Sequence, residues 1–140
     1  MPSLIRLSKA LLFIFLWAAF FLAACSDRDG TSKISAPDTI PVEFSGKTNP
    51  LGATAATAGA EIFKNNCVLC HGAQGHGDGP AGAALNPRPK NLVALASTVG
   101  DDYLYWRINT GKEGTSMVAW KGVLADEQIW QVVSFVRTLK

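Results

Sequence analysis

An all-α domain of three to four helices is the fold class that this sequence predicts. Two segments carry apolar residues at helical spacing: Gly59, Ile62 and Phe63 in the middle, and Ile129, Trp130, Val132, Val133, Val136 and Leu139 near the end. No segment calls for a strand. The third observation is Cys67-Val68-Leu69-Cys70-His71, whose cysteines are spaced i and i+3 with a histidine at i+4. That spacing turns all three side chains to one side of a single helical turn.

Composition sets the bounds. With 140 residues, one domain plus extra segments is expected. The formal charge of +2 includes Arg6 and Lys9, which lie in an N-terminal segment read below as removable. From Cys25 onward there are 11 basic residues (13 − 2) and 11 acidic ones, so the remainder is neutral. No basic stripe marks a nucleic-acid surface. Three cysteines, Cys25, Cys67 and Cys70, make a poor disulfide framework and divide into one plus a pair.

Residues 1–9 hold Arg6 and Lys9 and no acid, and Ala10 to Ala24 is an unbroken apolar run of 15 residues. A positive start, an apolar run and small residues at its end make residues 1–24 a secretory signal. The run is short of the roughly 18–20 residues that span a bilayer. Its end, Leu22-Ala23-Ala24-Cys25, resembles the lipobox of bacterial lipoproteins. The resemblance implies cleavage before Cys25, a diacylglyceryl group on its sulfur and an acylated new amino terminus. Several acyl chains together anchor stably where one is marginal. A plain signal with an incidental cysteine, or an uncleaved anchor helix, stand as the alternatives. Ser26, by the same resemblance, points to an outer membrane. The expected location is therefore exported and membrane-anchored, facing the periplasm or the cell exterior.

Residues 25–49 are rich in Asp, Ser, Thr, Lys, Gly and Pro and show no period, which reads as a lipid-anchored flexible linker. About 24 flexible residues span about 27 Å root-mean-square, enough to let a domain reorient near a membrane. The alternative is that 40–44 pack on a partner subunit. The folded domain is expected over 50–140.

Thr54 or Thr57 is the expected cap of a first helix running to about Asn66. The motif at 67–71 follows at once. Its geometry suits two thiols bonded to the two vinyl groups of a haem, with His71 as an iron ligand. A zinc site needs four ligands and finds only His71 and His76 nearby. A thioredoxin-like redox pair needs a β-α-β context. A disulfide leaves the histidine unexplained.

On these residues the chain resembles class I c-type cytochromes, mono-haem and bacterial, and in particular the small haem c domains of respiratory oxidase subunits. The resemblance rests on Gly59, Phe63, Asn66, Cys67, Cys70, His71 and Gly72, then Gly75-His76-Gly77-Asp78-Gly79-Pro80 and Pro87-Arg88-Pro89-Lys90-Asn91-Leu92. It covers about Asn49 to Lys140. It implies a small cytochrome c fold, three to four helices wrapped around one haem c held covalently through Cys67 and Cys70.

A second iron ligand is expected from Met117, the only methionine once Met1 is removed. The loop Asn109 to Ser116 carries the chain round to it, and a thioether is soft and neutral, so it raises the potential. In the family Met117 matches the axial methionine, though Val118 stands where proline is usual; Trp120 keeps the expected aromatic. His76 is the rival ligand, too close to His71 in the chain to reach the opposite face. The resemblance also implies a proline carbonyl accepting from the His71 ring, with Pro80 the first choice and Pro87 or Pro89 in reserve. Glycines at 72, 75, 77, 79 and 82 let the backbone lie close to a porphyrin.

A middle helix is expected from about Tyr103 to Thr110, capped by Asp101 or Asp102, ended by Gly111, with Leu104 and Ile108 inward. A last helix starts near Ala125 or Asp126 and reaches nearly to Lys140. The resemblance implies that it crosses the first at Gly59, with Phe63 against Trp130. About 90 residues make a thin core, so the haem-free domain is expected to be largely unfolded.

The functional expectation is a one-electron carrier in an exported respiratory chain, not an enzyme. No acid/base pair, second metal site or nucleotide loop accompanies the motif. Expected partners are redox proteins, a quinol-oxidising complex or a terminal oxidase, with the membrane reached through the lipid and no nucleic acid. Lys64, Lys90, Lys112 and Lys121 are candidates for steering docking, with scattered solvated lysines as the plainer reading. A fixed haem c subunit of a larger respiratory complex is the alternative, and an enzyme or sensor with an open iron site is a third.

Overall fold

The computed structural model describes residues 38–140. The signal at 1–24, the lipidation of Cys25 and the first part of the linker lie outside the described residues.

Five helices make up the domain: α1 (Ala56–Asn66), α2 (Val68–His71), α3 (Leu92–Ala96), α4 (Asp101–Thr110) and α5 (Asp126–Val136). Short 3-10 turns precede α1 at Ala53–Ala55 and follow α2 at Gly82–Ala84. Among the described residues the only β pairing is an isolated bridge between Lys121 and Leu124. The expected all-α cytochrome c architecture is the one observed. Among the described residues no helix is long and apolar enough to cross a membrane.

The helix starts differ from expectation. Neither Thr54 nor Thr57 caps α1; Thr54 Oγ1 donates to the Leu51 carbonyl, and the chain enters through the 3-10 turn. α4 begins at Asp101 itself, with Gly100 outside it, so both aspartates sit in the first turn, where the helix dipole favours negative charge. α3 is not among the helices expected from the sequence. It forms because the Asn91 side chain accepts from the Ala94 amide at 3.0 Å, capping one short apolar turn. α5 stops at Val136, short of Lys140. Beyond it Arg137 donates to the carbonyls of Ala96 and Val99 and pairs with Asp101, which fixes the chain end against α4.

The scaffold is the crossing of α1 and α5. A Cβ at Gly59 would overlap the Gln131 carbonyl oxygen and lie 3.0 Å from Phe135 Cβ. Gln131 and Phe135 are one turn apart and both face Gly59, which is why Phe63, one turn further along α1, meets Phe135 at 5.1 Å between ring centroids. The expected partner, Trp130, lies on the next face of α5 and stacks on Tyr105 of α4 at 4.2 Å. Among the described residues every buried hydrophobic side chain belongs to α1, α4 or α5: Phe63, Tyr103, Leu104, Tyr105, Trp106, Ile129, Trp130, Val132, Val133 and Val136.

The linker expectation needs correction over 38–49, because these residues lie on the domain. They run antiparallel along α4. Asn49 N donates to Asp101, Gly46 N to Asp102 at 2.9 Å, Phe44 packs on Tyr105 and Trp106, and Asp38 pairs with Arg107 and Lys112. Asn49 Nδ2 also donates to the Trp130 carbonyl and to Ser134 Oγ at 2.8 Å. The segment has no period because it is held by separate polar contacts and one aromatic, not by a repeating face.

Candidate haem-binding site

The motif forms its own turn. Cys67 closes α1, its amide donating to Phe63 O, and its φ of −118° breaks the helix before α2 begins. His71 N then donates to Cys67 O at 2.9 Å, and Gly72, at φ 77°, ends the turn. Cys67, Cys70 and His71 are thus brought together on one helical turn, each half-buried, with both thiols free. Burial, and secondarily the neighbouring Cys70, pushes the Cys67 thiol up to about 12. Among the described residues no three His, Cys, Asp or Glu side chains converge as a metal-binding group.

The segment after His71 folds back onto this turn. Gly77 N donates to His71 O, Gly79 N to Cys70 O and Ala81 N to Leu69 O. A Cβ at Gly79 would meet the carbonyls of Val68 and Leu69, and one at Gly82 that of Cys70. These two glycines therefore permit a close backbone approach; His76, on the outer side of the loop, is exposed.

Burial lowers the His71 pKa, opposed by the backbone of Lys90, which favours the neutral ring that an iron ligand requires. The Lys90 contact falls short of hydrogen-bond geometry: His71 Nδ1 is buried with no partner among the described residues. Pro80, the expected carbonyl partner, is exposed and makes no bond to the ring. The backbone beside His71 is that of Lys90, one residue past the reserve choice Pro89, because Pro89 packs its carbonyl against Gly77.

Met117 sits half-buried on a pinned turn outside the hydrophobic core. Its carbonyl accepts from Lys112 N at 3.0 Å and its amide donates to Thr115 Oγ1 at 3.1 Å. Thr115 Oγ1 in turn donates to Lys112 O at 2.8 Å. Gly111, at φ 70°, makes the turn possible, since a Cβ there would lie 2.6 Å from Met117 O. Of the lysines considered for docking, Lys64, Lys90 and Lys121 are exposed, but Lys112 is committed to Asp38. Reading by motif missed Asp38, Arg107 and Thr115. Thr115, between glycine and methionine, carried a turn signal; Asp38 carried none.

Outside the scaffold the burial pattern changes. Over 67–99 and 111–124 the only fully buried residues are glycines, Gly72, Gly75, Gly79, Gly82 and Gly111. The apolar side chains here stop half-buried or exposed, Leu69 at 63% and Val118 at 64%. Glycine-lined backbone, half-buried apolar side chains, a half-buried histidine with a sheltered, unpartnered Nδ1 and a pair of free thiols fit a flat apolar macrocycle with a metal centre.

Residues 54–136 match the family described as Cytochrome C oxidase, cbb3-type, subunit III. The chain belongs to this cytochrome c family. The cytochrome domain is 33% identical over 95 residues to the Cbb3-type cytochrome c oxidase subunit FixPc of Rhizobium leguminosarum bv. viciae, covering 67% of this chain and 31% of that protein. It is 32% identical over 81 residues to subunit FixP of Rhizobium meliloti (strain 1021), covering 58% and 26%. Cytochrome c6 of Synechococcus elongatus is 31% identical over 78 residues, covering 56% of this chain and 83% of that one. The chain thus spans about a third or less of the oxidase subunits it matches, but most of the cytochrome c6. A chain of the Kuenenia stuttgartiensis reducing HAO-like protein complex Kustc0457/Kustc0458 shares the fold, with a TM-score of 0.55 at 23% identity, covering 75% of this chain and 47% of that one. Membership in the cytochrome c family implies covalently bound haem c, and the residues above fit it.

Proposed function

We propose that this domain holds one haem c through Cys67 and Cys70, ligates its iron with His71 and Met117, and carries single electrons in an exported respiratory chain. The carrying observation is the contrast between two built features: a motif turn that sets half-buried His71 beside Cys67 and Cys70, and a methionine held outside the core on its own hydrogen-bonded turn. A methionine used for packing belongs in the core.

When bound, haem c supplies the Fe(III)/Fe(II) couple. The chain's residues do the rest. Cys67 and Cys70 retain the group outside the cytoplasm, where a loose cofactor is lost. His71 gives a neutral nitrogen and Met117 a soft thioether that favours the reduced state. Two protein ligands leave no open position, which suits a carrier over an oxygen-reacting enzyme. The apolar Leu69 and Val118 and the exposed Lys64, Lys90 and Lys121 offer contacts for redox partners, a quinol-oxidising complex or a terminal oxidase.

In this reading residues 1–24 direct export, and Cys25 carries the lipid that tethers the domain to a membrane, facing the periplasm or the cell exterior. A second reading, a fixed haem c subunit of a respiratory oxidoreductase, is favoured by the two oxidase subunits among the relatives. Detergent extraction separates the two: a carrier leaves the membrane alone, a subunit co-purifies with its complex. Cys25→Ser moves the protein to the soluble fraction if the tether is right.

The decisive measurement is the spectrum of the purified protein, oxidised and reduced, beside Met117→Ala. The parent is expected to be low-spin in both states and the variant high-spin. A low-spin Met117→Ala variant would remove Met117 from the iron.

A further inference from the structure

We propose that Asp38 is a positioning residue for Met117, and that the segment 38–49 is a strap whose N-terminal part holds the methionine turn closed. The inference rests on the reading of Met117 as the sixth iron ligand.

The strap is fastened at two places with different consequences. At its C-terminal end Asn49 binds the Trp130 carbonyl and Ser134 Oγ, in the packed crossing of the scaffold. At its N-terminal end Asp38 takes both Arg107 and Lys112 on one carboxylate oxygen. Arg107 is in the last turn of α4, and its other guanidinium nitrogen donates to Gly111 O at 3.3 Å. Lys112 is the residue on which the methionine turn closes. Its amide holds Met117 O, and its carbonyl accepts from both Thr115 N and Thr115 Oγ1. Asp38 therefore grips the two side chains whose backbones and heads define the entry of the Met117 turn. Without it two cations, Arg107 and Lys112, face each other across Gly111 with no shared anion.

This contact is far in sequence, 69 and 74 residues from its partners, so local turn geometry does not require it. It is also partly exposed, Asp38 at 44%, and such pairs add little to global stability. Its consequence falls on the opening of one turn.

The test uses the haem-loaded full-length protein and imidazole, a neutral ligand that binds the iron only when Met117 lets go. Asp38→Asn is expected to raise the imidazole binding rate about threefold to tenfold with a melting temperature close to the parent's. Asp38→Glu is expected to restore the parent rate. Asn49→Ala, at the other fastening, is expected to lower the melting temperature while leaving the rate within about twofold. In the parent, raised salt is expected to speed imidazole binding, and in Asp38→Asn to leave it unchanged. Should the variant fail to fold, the parent's own response decides: imidazole binding that does not speed up with salt would overturn the strap. Equal rates for parent and Asp38→Asn, with Met117→Ala much faster, would overturn the strap while keeping the ligand. A Met117→Ala rate equal to the parent's would overturn both. Rates that simply follow melting temperature across all variants would reduce Asp38 to a stability contact and overturn the positioning role.

Discussion

The two halves of this domain are built by opposite means. The half formed by α1, α4 and α5 is a packed apolar core with a glycine at its tightest crossing and stacked aromatics along one side. The half formed by 67–99 and 111–124 buries only glycines, and its order comes from backbone hydrogen bonds around two turns. The first half is complete in its own side chains. The second presents a histidine, a methionine and half-buried apolar residues arranged about a group that the chain itself does not encode. Stability and function are thus carried by different residues, and single changes should separate them.

The largest expected effect is at the cofactor attachment. Protein with Cys67→Ala and Cys70→Ala is expected to retain no haem after denaturing extraction and to lose its near-UV dichroism, because the haem completes the second half. A haem-free variant with native near-UV dichroism would show that the site half needs no cofactor, and the contrast would collapse.

Next comes the scaffold. Gly59→Val places atoms where the Gln131 carbonyl and Phe135 lie, so the helices must separate. Overpacking of this kind costs about 3 kcal/mol, or a fall of more than about 10 °C in melting temperature for a domain of this size. The absorption spectrum of the folded variant is expected to match the parent's. A changed iron spectrum in Gly59→Val would mean that the halves are not independent.

The smallest effect is acidic. The hydrogen bond from Lys112, together with the Arg107 charge and against the opposing influence of burial, holds the Asp38 carboxyl below its ordinary value of 3.8. A depressed folded value means that its contribution is fully present above the ordinary value and is lost as pH falls through the folded one. Between about pH 5 and pH 3 the parent is therefore expected to lose more stability than Asp38→Asn. Parallel acid unfolding curves for the two would remove Asp38 as a tie between strap and site.

How much of this was legible beforehand depended on whether the signal was local. Cys67, Cys70 and His71 are read from spacing alone, because one helical turn decides which way their side chains face. Met117 stood out as the one methionine besides Met1, with His76 as its rival, and Gly111 was legible as a helix stop. Lys90 beside His71 was not, since which backbone reaches a ring depends on how an 18-residue loop folds back, and Pro80 is exposed while Pro89 is taken by Gly77. Phe135 displaced Trp130 as the partner of Phe63 for a similar reason: both are aromatics on α5, and only the crossing at Gly59 chooses the face.

The sequence by itself determined the all-α class, the haem motif and the helices that make the scaffold. Each follows from residues within a few positions of one another, where periodicity and turn chemistry act. Tertiary structure alone decided that 38–49 is part of the domain and that Asp38 meets Arg107 and Lys112. Those contacts join residues far apart in the chain, and their polar, aperiodic composition is indistinguishable from a linker until a surface is there to receive it.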